Sequence, residues 1–129
     1  MKSLIVEDEF TSRMQIKYFL EKYGPCDTVV NGSEAVKAFK MAIAARQPYD
    51  LICLDIKLPE KNGHQVLGEI REIEKNQDPL RAKPAKIFMT TAMADADNVG
   101  ETLGLCNEYL LKPVGREMLD QKLRKHRLV

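Results

Sequence analysis

The chain has 129 residues, 44% of them hydrophobic and 30% charged, which favours one folded domain with a proper core. With 20 basic residues against 19 acidic ones the net charge is +1, so no overall field draws the chain to nucleic acid or to an anionic membrane surface. No stretch approaches the roughly 18 consecutive apolar residues of a membrane span. Acidic Glu7 comes too soon for a secretory signal, so a cytoplasmic location is expected.

Five short apolar runs predict strands. The first covers about Lys2–Val6 and leads into Glu7-Asp8. A helix follows, with Ile16, Phe19, Leu20 and Tyr23 on one stripe, Thr11 as its expected N-cap and Gly24-Pro25 as its stop. The second strand is expected over Asp27–Val30. Ser33 is the expected cap of a second helix, which buries Val36, Phe39 and Ile43 and ends near Gln47-Pro48. The third strand is expected over Asp50–Leu54; its apolar run Leu51-Ile52-Cys53-Leu54 suits burial on both faces, and Asp55 closes it. Asn62-Gly63 introduces a third helix with Val66, Leu67, Ile70 and Ile73 inward. The polar stretch from Asn76 to Pro84 reads as a surface loop before a fourth strand, Lys86–Thr90. A short fourth helix is expected near Asp95–Leu103, weakened by Gly100, which costs roughly 1 kcal/mol against Ala. The fifth strand, Glu108–Leu111, leads to Lys112-Pro113, and a fifth helix runs from about Arg116 to Arg127 on Leu119 and Leu123.

Strands alternating with helices predict an α/β fold of five βα units around a parallel sheet. Cys26, Cys53 and Cys106 are odd in number and widely spaced, which excludes a disulfide framework and a zinc knuckle. Lys122, Arg124, Lys125, His126 and Arg127 crowd the last helical turn, where the macrodipole favours cations; His64 and His126 are expected at the surface. Three strand ends deliver Glu7, Asp8, Asp55 and Lys112 to the edge where open α/β sheets place their chemistry. Three carboxylates so close raise one another's pKa, and a hard divalent cation such as Mg2+ relieves the repulsion.

Taken together, Glu7-Asp8, Asp55 with Leu58-Pro59 and Asn62-Gly63, Thr91-Ala92, and Tyr109 with Lys112-Pro113 resemble the receiver domain of bacterial two-component response regulators. The likeness runs from about Lys2 to Arg127, so residues 1–129 are expected to form a single receiver domain. It implies a doubly wound, flavodoxin-like sheet of strand order 2-1-3-4-5. It implies that Asp55 accepts a phosphoryl group from a histidine kinase or histidine phosphotransfer protein. Asp8, Asp55 and the backbone carbonyl of Lys57 would ligate Mg2+, and Glu7, where many relatives have Asp, would act through water. Lys112 would neutralise the phosphoryl group. The Thr91 hydroxyl would bond it, and Tyr109 would turn inward, altering the face of the fourth helix, fifth strand and fifth helix. A cis peptide before Pro113 is implied as well. Lys57 and Met93 would border the mouth and slow hydrolysis of the phosphate.

These expectations describe a signalling switch that catalyses only its own phosphorylation and dephosphorylation, acting as a monomer or a weak phosphorylation-dependent dimer. Met1 suggests that nothing is lost in front, and the absence of an output domain suggests a stand-alone receiver acting on an unknown protein target or in a phosphorelay. A haloacid-dehalogenase-like phosphatase would carry a second Asp two residues after the nucleophile; Lys57 stands there and cannot act as a general acid at neutral pH. A receiver that binds without phosphorylation usually lacks an acid, the lysine or the acceptor, and this chain keeps all of them.

Overall fold

The computed structural model describes residues 1–77, 83–92 and 104–129. The expected fourth helix near Asp95–Leu103, with Gly100, and Met93 at the mouth lie outside the described residues, as does part of the loop between Asn76 and Pro84. In chain order the elements are β1 (Ser3–Val6), α1 (Phe10–Leu20), a 3-10 turn (Glu21–Tyr23), β2 (Cys26–Val29), α2 (Gly32–Ala44), β3 (Leu51–Asp55), α3 (Gly63–Lys75), β4 (Lys86–Thr91), β5 (Glu108–Leu111) and α4 (Arg116–Lys125). All strand pairs are parallel and the order is β2-β1-β3-β4-β5, as expected.

Why the middle of each central strand is apolar is plain from the two cores. Side chains alternate across a strand, so a sheet covered on both sides must be apolar at every position. On one side Leu4, Val6, Ile52, Leu54, Ile87 and Met89 meet Val36 and Phe39 of α2 and Val66, Leu67 and Ile70 of α3. On the other, Ile5, Leu51, Cys53, Phe88 and Leu110 meet Ile16 and Leu20 of α1 and Leu119 and Leu123 of α4. Cys53 is thus a buried packing residue, and burial pushes its thiol up to about 12; all three cysteines are free.

Two expected caps are corrected. Glu9, not Thr11, caps α1: its carboxylate accepts the N–H groups of Thr11 (3.2 Å) and Ser12 (2.6 Å). Asn31, not Ser33, caps α2 by accepting the Glu34 N–H at 2.8 Å, while Glu34 accepts the Val30 N–H. In both cases the side chain receives the N–H three residues on, of Ser12 or of Glu34, as capping geometry requires. At the start of α3, which Asn62-Gly63 was expected to introduce, Asn62 and Gln65 exchange bonds in a capping box.

Candidate functional site

The strand register carries the acidic and basic residues to one edge. Val6 pairs with Leu54, Asp55 with Thr90, and Thr91 with Leu111, so Glu7, Asp8, Asp55, Thr91 and Lys112 all follow or end adjacent strands. Backbone bonds continue past the strands and fix these positions: Glu7 N–H to the Val29 carbonyl, Ile56 N–H to Thr90, and Lys112 N–H to Thr91. The Lys112–Pro113 peptide is cis, as the resemblance implied.

Glu7 and Asp55 are buried, at 1% and 5% exposure, whereas Asp8 is exposed. One carboxylate oxygen from each lies within 4.8 Å of the others. The Lys112 ammonium stands 2.8 Å from Asp55 Oδ2 and also pairs with Glu7. Burial, then the adjacent Asp55 carboxylate, pushes Glu7 up to about 7, although Lys112 pulls the other way. For Lys112 burial opposes the charge, but Asp55 and Glu7 outweigh it and raise its pKa. One ammonium therefore serves two buried carboxylates, with a third acid beside them. This donor set of three oxygen ligands with incompletely balanced charge fits a hard divalent cation.

Asp55 Oδ1 accepts the Lys57 N–H at 3.2 Å, which turns the chain sharply after β3. Gly63 closes that turn, its N–H bonding the Ile56 carbonyl at 2.7 Å. A Cβ at Gly63 would stand 2.4 Å from the Asp55 carbonyl oxygen, so only glycine lets α3 approach the strand end so closely.

Thr91 is buried at this edge, and its hydroxyl donates to the Ala92 carbonyl at 3.1 Å. Tyr109 is half-buried, lies opposite Met89 and packs on the α2–α3 side of the core. Sequence reasoning missed Arg13, whose guanidinium donates to the carbonyls of Glu7 (3.1 Å) and Asp8 (3.3 Å) and ties α1 to the acidic turn. Its position in the first turns of α1 was visible, but its backbone partners were not.

The basic cluster on the last helix is corrected as well. Lys122, Lys125 and His126 converge on Glu108, at 3.3, 2.8 and 2.8 Å. His126 is not a surface residue: its side chain is 15% exposed and its ring lies 5.4 Å from that of Phe88. His64 is half-buried in the first turn of α3.

Residues 3–124 match the family model of the response regulator receiver domain. The chain belongs to this family. Among curated relatives, it is 35% identical over 127 residues to the transcriptional regulatory protein LytR of Staphylococcus aureus, covering 98% of this chain but 47% of that protein. The chain thus spans about half the length of the curated relatives it matches. Among solved structures, it resembles the receiver domain of the sensor histidine kinase PA1611 of Pseudomonas aeruginosa, which has magnesium coordinated in its active-site cleft (29% identity, TM-score 0.75, covering 96% of this chain and 94% of that one). It also resembles the complex of the Saccharomyces cerevisiae histidine phosphotransfer protein Ypd1 with the receiver domain of Ssk1 (28% identity, TM-score 0.80, covering 97% and 87%). The family works in two-component signalling. Among the described residues of this receiver, no helix is long and apolar enough to cross a membrane.

Proposed function

We propose that this receiver domain is a phosphorylation-operated switch in which Asp55 takes a phosphoryl group from a phosphohistidine. The donor is a sensor histidine kinase or a histidine phosphotransfer protein, the kind of partner seen with Ssk1. The observation that carries the reading is Lys112 Nζ, 2.8 Å from Asp55 Oδ2, at the same edge as three clustered carboxylates.

An Asp55 oxygen bonds phosphorus as the P–N bond breaks, and the imidazole leaves with that electron pair and takes up a proton. Phosphoryl transfer asks mainly for positioning and charge neutralisation. Lys112 provides a point cation beside the accepting oxygen. Asp8, Asp55 and the Lys57 carbonyl, with Glu7 acting through water, would hold Mg2+, which when bound neutralises charge on the phosphoryl oxygens. The Thr91 hydroxyl gives up the Ala92 carbonyl for a phosphoryl oxygen, and Tyr109 on the adjacent strand responds. The changed surface, β5 with the helices around it, then meets a protein target or passes the signal on. Residues 1–129 act as one receiver unit that transfers and loses its own phosphoryl group, turns over no external metabolite, and works in the cytoplasm as a monomer or weak phosphorylation-dependent dimer. The balanced charge gives it no general attraction for nucleic acid.

Acetyl phosphate with Mg2+ should label the chain at one site, and Asp55→Asn should abolish labelling. Equal labelling of Asp55→Asn rejects the assignment.

A further inference from the structure

The opposite edge of the sheet, where strands begin, carries chemistry that the phosphorylation switch does not use. A cavity of about 580 Å3 opens there between Tyr49-Asp50 before β3, Ala85-Lys86 at β4, Asn107 before β5, and the tail after α4. Small-molecule sites typically occupy roughly 300–1,000 Å3. Among the described residues, Arg71, Lys83, Lys86 and Arg127 line it against a single carboxylate, Asp50, although the whole chain carries a charge of only +1.

Not every one of these charges is available. Arg71 is spent on Glu74 at 2.7 Å and on the carbonyls of Leu105 and Ala85. Asp50 accepts the Lys2 N–H at 2.7 Å, and His126 is held by Glu108. Among the described residues, no carboxylate lies within ion-pair distance of Lys83, Lys86 or Arg127. Arg127 adopts a left-handed backbone (φ 58°) as the chain leaves α4, while Leu128 N–H returns to the Leu123 carbonyl. That turn ends the helix and leaves Arg127 at the cavity. A second cavity, of about 210 Å3, shares Pro48, Tyr49, Lys83, Pro84 and Ala85 with the first and extends to Phe39 and Ile43. A cationic mouth thus adjoins a mostly apolar recess, whose carboxylate among the described residues, Glu74, is already paired with Arg71.

From this arrangement we propose that the strand-start edge binds a small organic phosphate. Its anionic group meets Lys83, Lys86 and Arg127, and its apolar body lies against Pro48 and Pro84 toward the smaller cavity. Ammonium and guanidinium donors together suit phosphate oxygens, and the shared lining suits a ligand with one charged and one apolar end.

The test is an NMR titration of the full isotope-labelled chain with adenosine monophosphate, and separately with inorganic phosphate. Both run at physiological ionic strength with EDTA, so that no metal links phosphate to the Asp55 edge. The expected result is saturable shifts at Asp50, Lys86, Asn107 and Leu128, with the nucleotide binding at least about tenfold tighter than inorganic phosphate. Lys83→Ala/Lys86→Ala, its dispersed spectrum reporting an intact fold, should weaken nucleotide binding about tenfold. Shifts centred on Glu7 and Asp55, equal affinity for inorganic phosphate, unchanged affinity in the double variant, or no saturation would each overturn the proposal.

Discussion

Glu7 and Glu108 are both mostly buried carboxylates beside lysines, yet their acidities move in opposite directions. Glu7, where the strands end, shares Lys112 with Asp55 and has Asp8 beside it; burial and the Asp55 charge push it up to about 7. Glu108, at the start of β5, is also opposed by burial, but Lys125, His126 and Lys122 hold it at about 2. Burial acts in the same sense on both. The local count of positive against negative groups decides the outcome. The Glu108 cluster is therefore a complete structural clamp of α4 onto β5. The Glu7 edge is electrostatically unfinished, with more carboxylate than ammonium charge, which suits the proposed binding of a divalent cation.

The largest expected effect comes from removing the lysine that pairs with both buried carboxylates at the unfinished edge. Lys112→Met should slow labelling of Asp55 by acetyl phosphate about 100-fold, the usual scale for losing one charge-stabilising group. A near-normal initial rate would break the contrast between the two edges.

A smaller effect of opposite sign is expected at Glu7. Its raised folded-state pKa means that its contribution to stability is present below about 4.5 and is lost as pH rises through about 7. In metal-free protein at pH 8, Glu7→Gln should therefore raise the urea midpoint, by on the order of 1–2 kcal/mol in stability, with no gain near pH 4. A lower midpoint at pH 8 would show that the Lys112 pair outweighs the crowding.

Glu108→Gln should lower stability by about 1 kcal/mol at pH 7, because Lys122, Lys125 and His126 lose a common partner. The depressed pKa sets the pH window. The wild-type advantage is present above about 4.5 and disappears as pH falls towards about 2. Urea unfolding of both proteins across that range checks it; a deficit that persists at pH 2 points to packing and not to charge.

The α/β class, the strand positions and the acidic–lysine edge were legible because they depend on local chemistry. Apolar runs need two covered faces, and strand ends in a parallel sheet share an edge. Asn62-Gly63 was legible as the start of the third helix, though not the capping box that Asn62 forms with Gln65. Glu9 and Asn31 were not: each competed with a nearby hydroxyl, and only the backbone path chose between them. His126 looked like one more cation at a helix end, because its partner lies 18 residues earlier in the chain. Gly63 was visible as a turn residue, but the 2.4 Å approach to the Asp55 carbonyl that demands glycine was not.

Residue order alone, then, carried the alternation of strands and helices and the chemical kinds of side chain gathered at the strand ends, since both follow from periodicity and near neighbours. Packing decided which acid is crowded, which is satisfied, which histidine is held, and which lysines line a cavity. These are sums over groups distant in sequence, and they take a value only when the folded chain sets the distances between them.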